Sequence, residues 1–219
     1  MTVAVDERVS AVADLVLACL DAACDALIAE EGAFCALDRA IGDGDHGTNL
    51  SRAARALQEA HGEMAALPPA AMLELAGTIV VMRVGGASGP LYGSLLMAIG
   101  RAWAEPATLP GVAAALAEGV AAVGRRGKAE VGAKTMLDVL SPAANALRAA
   151  ANGAPAVALV EMVSAAEAGL ESTRPIRATR GRAAFVGQRA IGHLDPGAAS
   201  ACLCIRAVAR TVTERLEAR

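Results

Sequence analysis

The sequence predicts an all-α fold, with eight helices running antiparallel in an up-and-down bundle. Three observations carry this. Hydrophobic residues make up 55% of the 219 residues and aromatics only 2%, so the core must be built from Ala, Leu, Val, Ile and Met, a composition that favours close-packed helices over sheets. Apolar residues recur at spacings of three and four along most of the chain. No run reads as a strand of a parallel sheet: the β-flavoured pieces, Thr78 to Val81 and Ala184 to Val186, are short.

The first segment sets Val9, Val12, Ala13, Val16, Leu17, Leu20, Cys24, Leu27 and Ile28 on one stripe, with Asp14, Asp21 and Asp25 elsewhere around the turn. That is a long amphipathic helix. Six further helices are expected near 48–62, 69–83, 90–104, 111–124, 134–151 and 155–173. The last carries Ala201, Cys202, Ile205, Val208, Ala209, Val212 and Leu216, with Arg206, Arg210, Thr213 and Glu217 off the stripe.

The connections fall into two kinds. Those after the second, fourth and sixth helices, near Pro68-Pro69, Pro106 to Gly111 and Asn152 to Pro155, are short, contain proline and are chemically bland. Those after the first, third, fifth and seventh are Gly-rich and polar: Asp38 to Asn49, Gly85 to Gly93, Gly124 to Lys134 and Thr179 to Gly197. Short connections favour antiparallel neighbours, which puts every odd-numbered connection at the same end of the bundle. Four polar loops then converge on one site.

The first loop holds Asp38, Asp43 and Asp45 in LDRAIGDGDHGTNL. Three carboxylates this close repel one another unless a cation neutralises them, and hard oxygen ligands suit Mg²⁺ or Ca²⁺. A calcium EF-hand fails, because Gly47 and Ala54 stand where ligands are needed. Mg²⁺ bridging to phosphates remains. The competing reading makes these residues turn and cap formers, but their company with His46, Thr48 and Asn49 at a helix start favours a metal or phosphate site.

The second loop, VGGASGPLYGS, either turns backbone N–H groups and Ser88 toward an anion or serves as a tight interhelical turn. The third, RRGKAEVGAKTMLD, either lays Gly127 and Met136 against a planar base or is a solvated charged turn. The fourth carries Arg180, Arg182 and Arg189 with no acid between Glu171 and Asp195, a counter-charge suited to a nucleotide, and Asp195-Pro196-Gly197 opens the last helix. His193 reads equally as a ligand or a capping residue; His61, Phe34, Tyr92, Trp103 and Phe185 read as surface or packing residues.

The 20 basic and 23 acidic residues leave a net charge of −3, a balance with no global field to hold nucleic acid or an anionic membrane. Neither a transmembrane helix nor a signal peptide is expected. Five cysteines without a Cys-x-x-Cys read as reduced, buried thiols of a cytoplasmic protein. No covalent nucleophile with a recognisable local signature is present. Hard-cation carboxylates, anion-binding turns and an arginine are the equipment of phosphoryl transfer, in which the protein positions phosphates and neutralises charge.

IGDGDHGTNL, GGASGPLYG, RGKAEVGAKTMLD and GRAAFVGQRAIGHLDPGA resemble, in order and spacing, the nucleotide-binding L subunit of dihydroxyacetone kinase, over about Asp38 to Ala198. The resemblance implies one domain over residues 1–219, an eight-helix antiparallel barrel with the nucleotide at one end. It implies ADP or ATP as cofactor and two Mg²⁺ ions held by Asp38, Asp43 and Asp45. His46, Gly47, Thr48, Asn49, Ala87 and Ser88 would contact the phosphates, and Gly127, Met136, Arg182, Asp195, Pro196 and Gly197 would surround the rest of the nucleotide. The partners implied are a K subunit carrying dihydroxyacetone and an M-type phosphotransferase subunit that recharges the nucleotide; a transcriptional regulator and a homodimer are further expectations. The alternatives are an ATP-dependent kinase subunit for another ketose such as erythrulose, or a nucleotide-loaded interaction module for a transcriptional regulator. Ala133 stands where the family often has aspartate.

Overall fold

The structure, a computed structural model, describes residues 2–218, with side-chain surroundings from Ser10 onward. No strand occurs among the described residues. In chain order the helices are α1 (Thr2–Ala29), α2 (Glu31–Ile41), α3 (His46–Glu59), α4 (His61–Ala65), α5 (Pro69–Arg83), α6 (Ser88–Ala102), α7 (Leu109–Gly127), α8 (Leu137–Ala150), α9 (Pro155–Ser172) and α10 (Pro196–Glu217). A kinked 3₁₀ segment, Arg182–Ala190, lies between α9 and α10.

Helices α1, α3 and α5 to α10 form a closed ring: each packs on the next, and α10 returns to α1. The expected segments from 69 onward appear with ends moved by a few residues, and α3 starts two residues before the expected 48. Two helices were not expected. What reads as one long polar connection begins as α2, whose Phe34, Cys35, Asp38 and Ile41 are buried on one face, and the expected 48–62 helix breaks at Ala60 into α3 and the short α4.

Local chemistry sets the helix ends. Pro69, Pro155 and Pro196 stand in the first turn of α5, α9 and α10, where a missing N–H costs nothing. Thr108 caps α7 by accepting from Gly111 N at 3.2 Å, and Asp195 caps α10 by accepting from Ala198 N at 2.7 Å.

The interior is filled by small and aliphatic side chains in two clusters. One runs through α6 to α10 and is centred on Val139, Ala143, Ala158, Ala166 and Ala198. The other joins α1, α3, α4 and α5 through Leu50, Met64, Met72 and Ala76. Helices α5 and α6 approach through glycines: a Cβ on Gly93 would sit 2.7 Å from Gly77 O, and one on Gly77 2.7 Å from Gly93 O. A small third cluster, Ile41, Ala178, Ala183 and Ala190, seats the 3₁₀ segment on the end of α2.

All five cysteines are free thiols, with Cys24, Cys35 and Cys202 buried. Burial pushes Cys19 up to about 11 and Cys24 and Cys204 up to about 12. No helix among the described residues is long and apolar enough to cross a membrane.

Candidate nucleotide and metal site

The ends of α2, α5, α7 and α9 and the starts of α3, α6, α8 and α10 meet at one end of the ring, around one cleft. The parity of the connections therefore holds: all four polar loops contribute to its lining. Helix α10 begins here and runs away from the cleft.

Asp38 lies in the last turn of α2, and Asp43 and Asp45 on the turn that follows. One carboxylate oxygen from each can be chosen so that all three lie within 4.8 Å of one another. The turn is tight. Gly44 adopts φ +81°, and a Cβ on Gly42 would run into the Asp38 side chain. Asp38 Oδ2 accepts from the backbone N–H of Asp45 at 2.9 Å and of His46 at 3.1 Å. It thereby caps α3 from a distance, while the residue in the cap position, Asp45, makes no side-chain cap bond. A three-oxygen set of this kind fits a small hard cation that completes its shell with phosphate or water.

Opposite the acids, Gly85 and Gly86, the latter at φ +69°, turn the chain into the start of α6 at Ser88. A helix start behind such a turn presents N–H groups to an anion. His46 bridges the two loops, with Nδ1 3.2 Å from Ser88 Oγ. Phe34 stands edge-on to its ring, with centroids 6.1 Å apart. Burial lowers the pKa of His46 against the opposing pull of Asp38. From the 3₁₀ segment, Arg182 Nη1 reaches Asp43 Oδ2 at 2.7 Å.

The far wall is held by a buried lysine. Lys134, at φ +61° and 1% exposed, donates from Nζ to the carbonyls of Thr173 and His193. Burial lowers its pKa, and the nearby Asp195 and Asp138 raise it. Asp138 orders the same loop by accepting from Gly132 N and, at 2.7 Å, from Thr135 N. Thr173 Oγ1 accepts from Asp195 N at 3.1 Å, closing the fourth connection on itself, and the Lys134 bonds tie the third loop to it behind the cleft. Burial pushes Asp195 up to about 7, against the lowering pull of Ala198 N–H and Lys134.

Of the residues expected at the site, Asp38, Asp43, Asp45, His46, Asn49, Ala87, Ser88, Met136, Arg182, Asp195, Pro196 and Gly197 line this cleft. Three do not. Gly47 packs against Glu31 O and Cys35, where a side chain would not fit. Thr48 turns its hydroxyl to Glu31 Oε1 at 3.2 Å. Gly127 ends α7 behind Leu91, with the side chain of Leu91 3.3 Å from where its Cβ would be. Leu91, Tyr92, Lys134 and Thr135 line the cleft beyond the residues expected there, and Arg180 of the basic fourth loop lines it as well. Tyr92 was read as packing, although its place one turn after Ser88 could have pointed to the cleft wall. Of the open alternatives, His193 contributes its carbonyl, to Lys134, and His61 pairs with Asp21 on the surface at 3.2 Å.

A family model described as the DAK2 domain matches residues 40–210. The chain is 40% identical to PEP-dependent dihydroxyacetone kinase 1, ADP-binding subunit DhaL, of Listeria innocua, over 80% of this chain and 84% of that protein. It is 37% identical to the ADP-binding subunit DhaL of the Escherichia coli PEP-dependent dihydroxyacetone kinase, over 81% and 87%. Human triokinase/FMN cyclase is 39% identical over 86% of this chain and 33% of that protein. Among solved structures, the dihydroxyacetone kinase of C. freundii in complex with AMP-PNP and Mg²⁺ superimposes with a TM-score of 0.72 at 30% identity, covering 90% of this chain and 34% of that one. Fold, loop order and sequence agree: the chain belongs to the DAK2 domain family.

Proposed function

We propose that this chain is the ADP-binding subunit of a dihydroxyacetone kinase, passing a phosphoryl group from its nucleotide to dihydroxyacetone held on a separate K subunit. Recharging of the ADP by an M-type subunit of the phosphotransferase system completes the cycle, in the cytoplasm, with residues 1–219 acting as one domain. The observation that carries the reading is the convergence of Asp38, Asp43 and Asp45 with the Gly85 to Ser88 turn and Arg182 around one cleft. The DhaL relatives, named as ADP-binding, span most of the chain.

Asp38, Asp43 and Asp45 would hold two Mg²⁺ ions, which would supply neutralisation of the phosphate charge. The chain's own residues do the positioning. The turn at Gly85 and Gly86 and the start of α6 receive phosphate oxygens on backbone N–H groups. Arg182 supplies a positive fork beside Asp43. Met136, Pro196 and Gly197 form an uncharged wall suited to the base and ribose. The transferred group then leaves across the open mouth, so the acceptor must be presented from outside, as a K subunit would present it.

A second reading, ATP as a freely exchanging donor for dihydroxyacetone or another ketose such as erythrulose, is favoured by the likeness to triokinase/FMN cyclase. Native mass spectrometry of the protein purified without added nucleotide, followed by acid release, separates the two. Retained ADP with two Mg²⁺ supports the first. An empty protein that binds and releases ATP supports the second, and failure to bind either nucleotide with Mg²⁺ overturns both.

A further inference from the structure

His46 has more partners than a phosphate-facing histidine needs. While Nδ1 faces Ser88 at the cleft, Nε2 points back into the protein, 2.9 Å from Ser200 Oγ. Ser200 Oγ lies in turn 2.7 Å from Tyr92 OH. The four residues come from three helices: His46 opens α3, Ser88 and Tyr92 stand one turn apart on α6, and Ser200 sits near the start of α10. Ser200 is fully buried, at 0% exposure, so no bulk water competes for these bonds.

A count of protons assigns a direction to each bond. Ser200 has one hydroxyl proton, and the Gly197 carbonyl 3.1 Å away can only accept it. With that proton given to Gly197, the lone pairs of Ser200 Oγ are left for its two other neighbours, which then act as the donors. Tyr92, whose phenol burial holds well above its ordinary pKa, supplies an O–H. His46 supplies Nε2–H. A neutral ring with its proton on Nε2 has a bare Nδ1, which accepts the hydroxyl of Ser88.

We propose that Tyr92 and Ser200 are positioning residues that fix His46 in its Nε2–H tautomer and so set the ring edge and the Ser88 hydroxyl that face the cleft. Ser200 lies buried beneath the cleft and Tyr92 stands on its wall; the role assigned to both acts through His46. Side chains ordered before a ligand arrives need not be ordered by it, and affinity gains accordingly. That consequence rests on the nucleotide reading of the cleft, whereas the tautomer does not.

The test uses full-length protein labelled with ¹⁵N-histidine, free of nucleotide, at pH 8. Two-bond ¹H–¹⁵N correlation spectra report the tautomer, and the His46 signals are those lost in His46→Gln. Wild type should show Nε2–H. Ser200→Ala should give a mixture of tautomers, and Tyr92→Phe, which keeps the ring and removes only the hydroxyl, a smaller shift in the same direction. The dissociation constant for Mg·ADP should rise about threefold to tenfold in both variants, and remain unchanged in His61→Gln on the surface. An Nδ1–H or doubly protonated ring in the wild type overturns the assignment, as does an Nε2–H pattern unaltered in Tyr92→Phe, the variant least exposed to folding defects. An intact tautomer pattern in a protein that never binds Mg·ADP overturns the nucleotide reading instead and leaves the assignment standing.

Discussion

Arg182 and Asp43 form an ion pair, Nη1 to Oδ2 at 2.7 Å, between a kinked segment and the acidic turn. The two residues lie far apart in sequence, and the pair joins the fourth polar loop to the first across the mouth of the cleft. Because Asp43 also belongs to the three-carboxylate set, any cation bound there competes with the guanidinium for the same oxygens. Arg182 is then free to turn to a phosphate.

Arg182→Ala should therefore leave global stability almost unchanged, since exposed pairs contribute about 1 kcal/mol or less. Mg·ADP affinity should fall by about tenfold, equivalent to ~1.4 kcal/mol. Arg182→Lys keeps the charge but loses the fork and should recover only part of the affinity. Calorimetric titration alongside thermal melts reads both quantities; a large loss of melting temperature with unaltered affinity would make Arg182 a structural residue.

Lys134→Met should do the reverse. It removes the donor to two buried carbonyls and leaves Asp195 and Asp138 without their nearby cation. A cost of about 2–4 kcal/mol is expected, which for a chain of this size lowers the melting temperature by about 5–15 °C. Differential scanning calorimetry checks it, and a shift of less than about 2 °C would show that the bonds are replaced by water.

Asp195 gives a pH dependence of defined sign. Burial raises its folded pKa to about 7 from the ordinary carboxylate value, so the native state binds the proton more tightly than the unfolded chain. Stability from this group is full below the unfolded value and is lost as pH rises toward 7. Asp195→Asn keeps the side-chain oxygen that caps α10 but cannot ionise. Wild type minus variant stability, from urea melts at pH 4 to 8, should decline across that window and then level off. A flat difference would show that Asp195 titrates as an ordinary carboxylate.

Gly93→Ala should loosen the α5–α6 contact, because its Cβ would meet the Gly77 carbonyl oxygen at 2.7 Å and the Val81 side chain. Overpacking of this kind costs about 1–3 kcal/mol. Gly62→Ala, where nothing lies within 4 Å, is the matched control and should be neutral or slightly stabilising in the same melts.

Much of the site was legible because it is local. Asp38, Asp43, Asp45 and His46 lie within nine consecutive positions, and the alternation of bland and polar connections placed the other three loops beside them without any distance being known. What escaped is what only tertiary contact creates. Ser200 reaches His46 across 154 positions and Tyr92 across 108, and on α10 Ser200 is one small residue on an apolar face. Lys134 looked like half of a solvated charged loop, because nothing in its neighbours shows that the carbonyls of Thr173 and His193 will close around it. Helix α2 escaped for a different reason: its acidic end reads as loop chemistry, and although Phe34 reads as packing, its spacing to Cys35 and Ile41 marks out only one short helical face. Gly47 and Thr48 are placed at the phosphates by the resemblance; here their side-chain positions face Glu31 and Cys35, since successive helical residues point about 100° apart.

Helix α10 starts at the cleft with Pro196 and runs 22 residues in the opposite direction, a distance of ~33 Å at helical rise. Whatever follows Glu217 therefore starts on the far side of the ring from the reacting groups. A domain carrying the phosphoryl acceptor, if tethered there, needs a connecting stretch of at least ~10 extended residues to reach round to the mouth. An affinity tag placed there stays clear of the cleft, and truncation of the last turn can affect binding only through its effect on folding.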